Sequence, residues 1–196
     1  VEFGISPFGV WRNEVMDARG SATKAGIQNY DDLYADILLW LEKGIIDYVA
    51  PQLYWEIGKK NADYAVLAEW WTRNSYSKNV YFGLYASGLT VRNEAAWKKP
   101  NELARQLRHN QNIHGLDGVI FYSAKPLLKN PQGILDSLST RFYPYKALPP
   151  VNRNLLRVGT IQPEHVRLLK DDKEVILTWD SVEAEGGEAI SYYVVY

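Results

Sequence analysis

Ile46-Asp47-Tyr48-Val49-Ala50-Pro51-Gln52-Leu53-Tyr54 is a short, mainly apolar run that closes on an amide and a tyrosine. Three more runs share that make-up: Val1-Glu2-Phe3-Gly4-Ile5-Ser6, Val80-Tyr81-Phe82-Gly83-Leu84-Tyr85 and Gly118-Val119-Ile120-Phe121-Tyr122. Apolar runs without strict alternation mark strands buried on both faces of a parallel sheet. They recur roughly every 35 to 45 residues, which is the rhythm of repeated βα units.

The segments between them carry helical periodicity. Tyr30 to Lys43 brings Leu33, Ile37, Trp40 and Leu41 to one face, with Asp31 or Asp32 at its start and Gly44 at its end. A second helix is predicted over Ala62 to Arg73, a third over Asn101 to Asn112 and a shorter fourth over Gln132 to Ser139. Parallel βα repeats leave two architectures, the open doubly wound sheet and the closed eight-stranded barrel. No Gly-rich phosphate turn follows any of the four runs, which removes the main sign of a nucleotide-binding open sheet. The runs instead end in polar and aromatic groups: Ser6 with Trp11-Arg12-Asn13, Gln52 with Tyr54-Trp55-Glu56, Tyr85 with Ser87, and Tyr122-Ser123. In a barrel these ends share one rim, where they either build a site or plug the mouth. The expected fold class is therefore α/β: about four βα units, half of a (β/α)8 TIM-type barrel, over residues 1–145.

Composition narrows the function classes. With 22 basic and 23 acidic residues and a net charge of -1, the chain gives no reason to expect nucleic acid as a partner. It has no cysteine, so disulfides, thiolate nucleophiles and cysteine zinc sites are excluded. No apolar run approaches the roughly 18 residues of a membrane-spanning helix. Aromatics stand out, with 7 Trp and 14 Tyr against 5 Phe. Rings with a polar edge suit stacking on sugars, though they also serve ordinary cores.

After Tyr145 the character changes. A linker over 146–162 contains Ala147-Leu148-Pro149-Pro150, and strand-like runs follow at Val166 to Leu169, Glu174 to Trp179 and Ser191 to Tyr196. Residues 163–196 resemble the first three strands of a fibronectin type III module, an all-β sandwich, with Trp179 as its core tryptophan. A complete sandwich of that kind needs about 100 residues, so this one is expected to be partial.

Phe3-Gly4-Ile5-Ser6-Pro7-Phe8-Gly9-Val10-Trp11-Arg12-Asn13, Tyr30-Asp31-Asp32-Leu33-Tyr34-Ala35-Asp36 and Asp47 through Trp55 together resemble the bacterial glycosyl-hydrolase-like family numbered ten. The resemblance covers residues 1 to about 145. It implies a (β/α)8 barrel glycosidase, exported to the periplasm, cell surface or medium, of which this chain holds strands five to eight. It also implies that the family's aspartate-rich strand-four motif lies upstream of Val1. Glycoside hydrolysis generally needs two positioned carboxyl groups, so the chain by itself is expected to be inactive.

Glu56 is the best-placed acid at a strand end and the candidate proton donor, with a solvated loop glutamate as the alternative. Arg12, Asn13, Gln52 and Tyr54 are candidates to grip sugar hydroxyls, with a rim ion pair the alternative for Arg12 and a satisfied buried amide that for Gln52. Trp11, Trp55, Tyr85 and Tyr122 are candidate substrate contacts, the first three as stacking rings. Asp31, Asp32 and Asp36 read as helix caps. His109, His114 and His165 show no metal-ligand spacing, and neither a metal site nor a cofactor is expected. Two functions compete: a glycoside hydrolase acting on a polysaccharide, with peptidoglycan glycan strands as one substrate, and a non-catalytic carbohydrate-binding or scaffolding protein of the cell envelope. Four βα units also leave sheet edges open, which predicts self-association of the chain.

Overall fold

A computed structural model describes residues 2–98, 101–148, 150, 152, 163–171 and 174–182. The chain divides into two compact units, Val1–Asn154 and Leu155–Tyr196. In the first, β1 (Gly4–Ile5), β2 (Tyr48–Val49), β3 (Asn79–Leu84) and β4 (Gly118–Phe121) form one parallel sheet in the order β1-β2-β3-β4. Gly4 pairs with Tyr48, Tyr48 with Asn79, and Tyr81 to Leu84 with Gly118 to Phe121. Chain order equals sheet order, so among these strands there is no switch point of the doubly wound kind. The mixed α/β arrangement is compatible with part of a TIM-type barrel.

The strands alternate more cleanly than their sequences suggest. Val49, Leu53, Val80, Phe82 and Leu84 are fully buried against helices on one side of the sheet. The opposite face carries Tyr48 and Tyr81, edge to face at 5.5 Å, and nearer the strand ends Gln52, Gly83, Tyr85, Ile120 and Tyr122. Tyrosine and glycine count as apolar or neutral in a hydropathy reading, which hid the period-2 pattern.

The predicted helix over 30–43 is two helices, α1 (Asn29–Leu33) and α2 (Ile37–Glu42). Tyr34 adopts a left-handed conformation (φ 54°) that stops the first. Asp36 restarts the chain by accepting the Leu39 N–H at 3.2 Å, a side-chain cap that the amphipathic pattern alone does not reveal. Asp32 accepts the Gln28 N–H at 2.7 Å, whereas Asp31 is spent on Arg12. α3 (Tyr64–Arg73) is capped by Asp63. Two short helices, α4 (Gly88–Val91) and α5 (Ala95–Lys98), precede α6 (Glu102–Asn110), which Asn101 caps. Beyond β4 lie α7 (Ala124–Leu127) and α8 (Ile134–Ser137), the latter running into a π-helical turn over Leu138–Phe142. No helix among the described residues is long and apolar enough to cross a membrane.

One cluster joins Leu38 and Leu41 of α2, Leu67 and Trp71 of α3, and Leu103 and Leu107 of α6 to the buried face of the sheet. Each such side chain contributes roughly 1.5–3 kcal/mol on burial. The second unit shows an antiparallel hairpin of β5 (Arg167–Lys170) and β6 (Val175–Thr178), with Arg167 opposite Thr178. His165 Nδ1 meets Asp180 Oδ2 at 2.7 Å beside it. The third expected strand, Ser191 to Tyr196, lies outside the described residues, as does most of the 146–162 linker.

Candidate functional site

The C-terminal strand ends enclose a cleft of about 560 Å³, a volume ordinary for small-molecule sites, which span about 300–1,000 Å³. Ser6 after β1, Ala50, Gln52 and Tyr54 after β2, Gly83 and Tyr85 of the β3 end, and Ile120, Phe121 and Tyr122 of the β4 end line it, with Arg92 from the segment after α4. Small residues Ser6, Ala50 and Gly83 leave room at the floor, and the walls are phenol rings.

Those rings form one cluster. Tyr54 stacks on Tyr85 with centroids 5.2 Å apart and planes 24° apart, and on Tyr122 at 5.7 Å and 25°. Tyr85 and Tyr122 complete the triangle at 6.4 Å and 17°. The backbone holds them in place. The Tyr122 N–H donates to Leu84 O at 2.8 Å, and the Ser87 N–H donates to Tyr122 O at 3.0 Å, extending the β3–β4 pairing into the rim. Burial first, then the neighbouring Tyr122 and Tyr85, push the Tyr54 phenol upward, so it stays a neutral hydroxyl able to donate to a ligand oxygen. Gln52 donates from Nε2 to Ser6 O at 3.0 Å, which ties β2 to β1 across the floor.

Gln52, Tyr54, Tyr85 and Tyr122 are thus brought together. The other expected residues are not. Trp11 is fully buried, stacked on Trp70 at 6.1 Å and edge-on to Tyr30, so its faces are closed to any ligand. Arg12 holds Asp31 in a two-pronged pair at 2.9 and 2.8 Å, reaches Asp17 at 3.2 Å and lies over the Tyr30 ring. Asn13 is buried and turned into the loop, donating to Ala25 O and accepting from Thr23 and from the Ala25 N–H. The loop after β1 turns back over α1 and α3, where Trp70 Nε1 donates to Arg19 O and Trp71 Nε1 to Gly9 O. Trp55 packs against the core beside Gly9.

Glu56 does not line the cleft. Its Oε1 pairs with Lys59 at 3.0 Å and its Oε2 accepts the Trp97 indole N–H at 3.1 Å. Burial alone would raise its pKa, but its own backbone N–H, Lys59 and Trp97 outweigh that and hold it below the ordinary glutamate value. A proton donor at neutral pH needs the opposite shift. Trp97 and Arg92 were not singled out from sequence: both come from the segment following the third strand, where no spacing rule points at the cleft. Trp97 fits because Gly88 lies under it; a Cβ there would sit 2.5 Å from the indole.

Glu102 and Gln106 of α6 support this rim from behind. Glu102 Oε1 accepts the Ile57 N–H at 2.7 Å and Gln106 Nε2 donates to Trp55 O at 2.9 Å. The buried Glu102 carboxyl is raised by burial, against the Ile57 N–H and Arg105, which favour its charged form. Among the described residues no group of three His, Asp or Glu is placed to hold a metal ion.

The sequence model of the family described as glycosyl hydrolase-like 10 matches residues 1–100. The chain belongs to this family. Its relatives include glycosyl hydrolase YngK of Bacillus subtilis, 40% identical over all of this chain and 39% of that protein, and glycosyl hydrolase DigH of Escherichia coli K12, 39% identical over 67% of this chain and 31% of that protein. The chain therefore spans less than half the length of the curated family members it matches. The tyrosine-lined cleft draws on both sides of the family match, with Ser6, Gln52, Tyr54, Tyr85 and Arg92 inside residues 1–100 and Tyr122 beyond it.

Proposed function

We propose that this chain supplies the glycan-binding wall of a glycosidase active site in the larger protein it represents. One observation carries the reading: three near-parallel tyrosines and an amide line an open cleft at the C-terminal ends of parallel strands in a glycosyl-hydrolase-like family member. Phenol faces stack on the apolar face of a pyranose while the hydroxyls and Gln52 answer its polar edge. The substrate is a polysaccharide, with peptidoglycan glycan as the first to test, and the protein works outside the cytoplasm. The catalytic carboxylates come from other parts of a protein of the relatives' length. The residues after the 146–162 linker form a fibronectin type III-like accessory module.

A second reading, glycan binding without turnover, is favoured by the cleft itself, since its lining includes no carboxylate among the described residues. Both predict binding; they part on hydrolysis. Release of reducing ends from peptidoglycan glycan strands by a protein of the relatives' full length, with tight binding and no release by this chain alone, supports the glycosidase. Binding by both with release by neither supports the binding protein. No glycan binding by either excludes both.

A further inference from the structure

We infer that the cleft selects glycans bearing a carboxylate and that Arg92 is the residue that reads it. This rests on the glycan-binding reading above and names its substrate class.

Arg92 differs from the other ion-paired arginines among the described residues. Arg12, Arg19, Arg73 and Arg105 each hold a carboxylate at 2.7–2.9 Å. Arg92 has one long contact, Nη1 to Glu94 Oε1 at 3.4 Å, and Glu94 also faces Lys59 at 3.9 Å. Both Arg92 and Glu94 are more than a third exposed, 37% and 39%, so this pair is weak and easily exchanged. The Arg92 Nε is enclosed and has no acceptor among the described residues. An enclosed donor without a partner costs free energy that a small shift of the head toward an incoming anion recovers.

Its position gives that shift a direction. The guanidinium lies 5.5 Å from the centroid of Tyr85, one of the three stacked rings, and lines the same cleft. Among the described residues it is the one charged residue in that lining. Neutral sugar hydroxyls are served by Gln52 and the phenols and need no cation. A carboxylate on a sugar stacked against Tyr85 would meet a guanidinium fork able to bind it through two N–H groups. Two sources share this chemistry: a uronate, with the carboxylate on the ring, and a lactyl ether, with it on a side arm.

Isothermal titration calorimetry on this chain, with two matched pairs, tests the inference. One pair is an oligogalacturonate and its carboxyl-reduced form; the other is a glycan strand bearing lactyl ethers and its carboxyl-reduced form. In at least one pair the carboxylated member should bind about tenfold more tightly, as a charge-assisted two-pronged contact gives, and raising the salt should shrink that ratio. The pair that shows it identifies the source. Arg92→Gln should bring the ratio close to one and Arg92→Lys leave it intermediate. Equal binding within both pairs by the unsubstituted chain, or a ratio that survives Arg92→Gln, overturns the inference while the glycan-binding reading stands. Failure to bind any of the four sinks both.

Discussion

The Trp97 indole N–H donates to Glu56 Oε2 at 3.1 Å while its ring stands edge-on to Tyr85 at 5.9 Å. One buried side chain thus connects the cleft wall to the acid expected from sequence to do the chemistry. That acid, paired with Lys59 and held anionic, fits an anchor for the loop after β2. In a protein of the relatives' full length, Glu56→Gln should cost about 1 kcal/mol of stability and lower hydrolysis less than tenfold. A proton donor's removal costs roughly a hundredfold to ten-thousandfold. Steady-state rates on a glycan strand beside a thermal melt separate the two roles.

The Arg12 cluster predicts an acid-side signature. Hydrogen bonds from the Arg19 side chain and backbone, with the charges of Arg19 and Arg12, hold the Asp17 carboxyl well below the carboxylate range. A carboxyl whose folded pKa is depressed stabilises fully above its unfolded value, about 3.9, and that stabilisation is lost as pH falls toward the folded value. Melting temperatures of the chain from neutral pH downward should therefore fall more gently below about pH 4 in Asp17→Asn than in the parent. Identical slopes would contradict the placement of Asp17.

Glu102 is fully buried and receives the Ile57 N–H, the Gln106 amide and Arg105. Glu102→Ala strands those donors and should destabilise the chain by about 2 kcal/mol, read from urea unfolding. Glu102→Gln keeps one acceptor oxygen and should cost less. A loss equal for both variants would show that the ion pair, rather than the hold on Ile57, carries the effect.

Much of the fold was legible from four strand runs, because strands buried on one side against helices keep their apolar residues whatever the other face carries. The site was half legible. Gln52, Tyr54, Tyr85 and Tyr122 follow directly from strand ends, since a parallel sheet delivers those positions to one edge. Trp11, Arg12 and Asn13 looked equivalent, yet they lie well past β1, where the chain has already turned over α1 and α3. Nothing in their spacing reports that turn. Arg92 and Trp97 were invisible for the complementary reason: the segment of two short helices, α4 and α5, brings Arg92 to the cleft lining and packs Trp97 on Gly88 behind Tyr85, neither by strand register.

The edges of the sheet give a prediction about association. β1 and β4 are terminal strands in the described sheet, and Phe3, just before β1, is 61% exposed. Open parallel edges with exposed apolar residues pair readily, so light scattering should show mass rising with concentration. A constant monomer mass across the concentration series would contradict this.

The tyrosine cluster carries the proposed glycan binding. The decisive measurement is a titration of the isotope-labelled chain with peptidoglycan glycan strands, followed by NMR of the assigned aromatic side chains. Saturable shifts are expected at Tyr54, Tyr85 and Tyr122 and none at the buried Trp11, with affinity reduced about fivefold to tenfold by Tyr85→Ala, in keeping with the loss of one stacked ring at about 1 kcal/mol. Saturable binding that shifts other residues and leaves these three rings unmoved would contradict that role of the cluster.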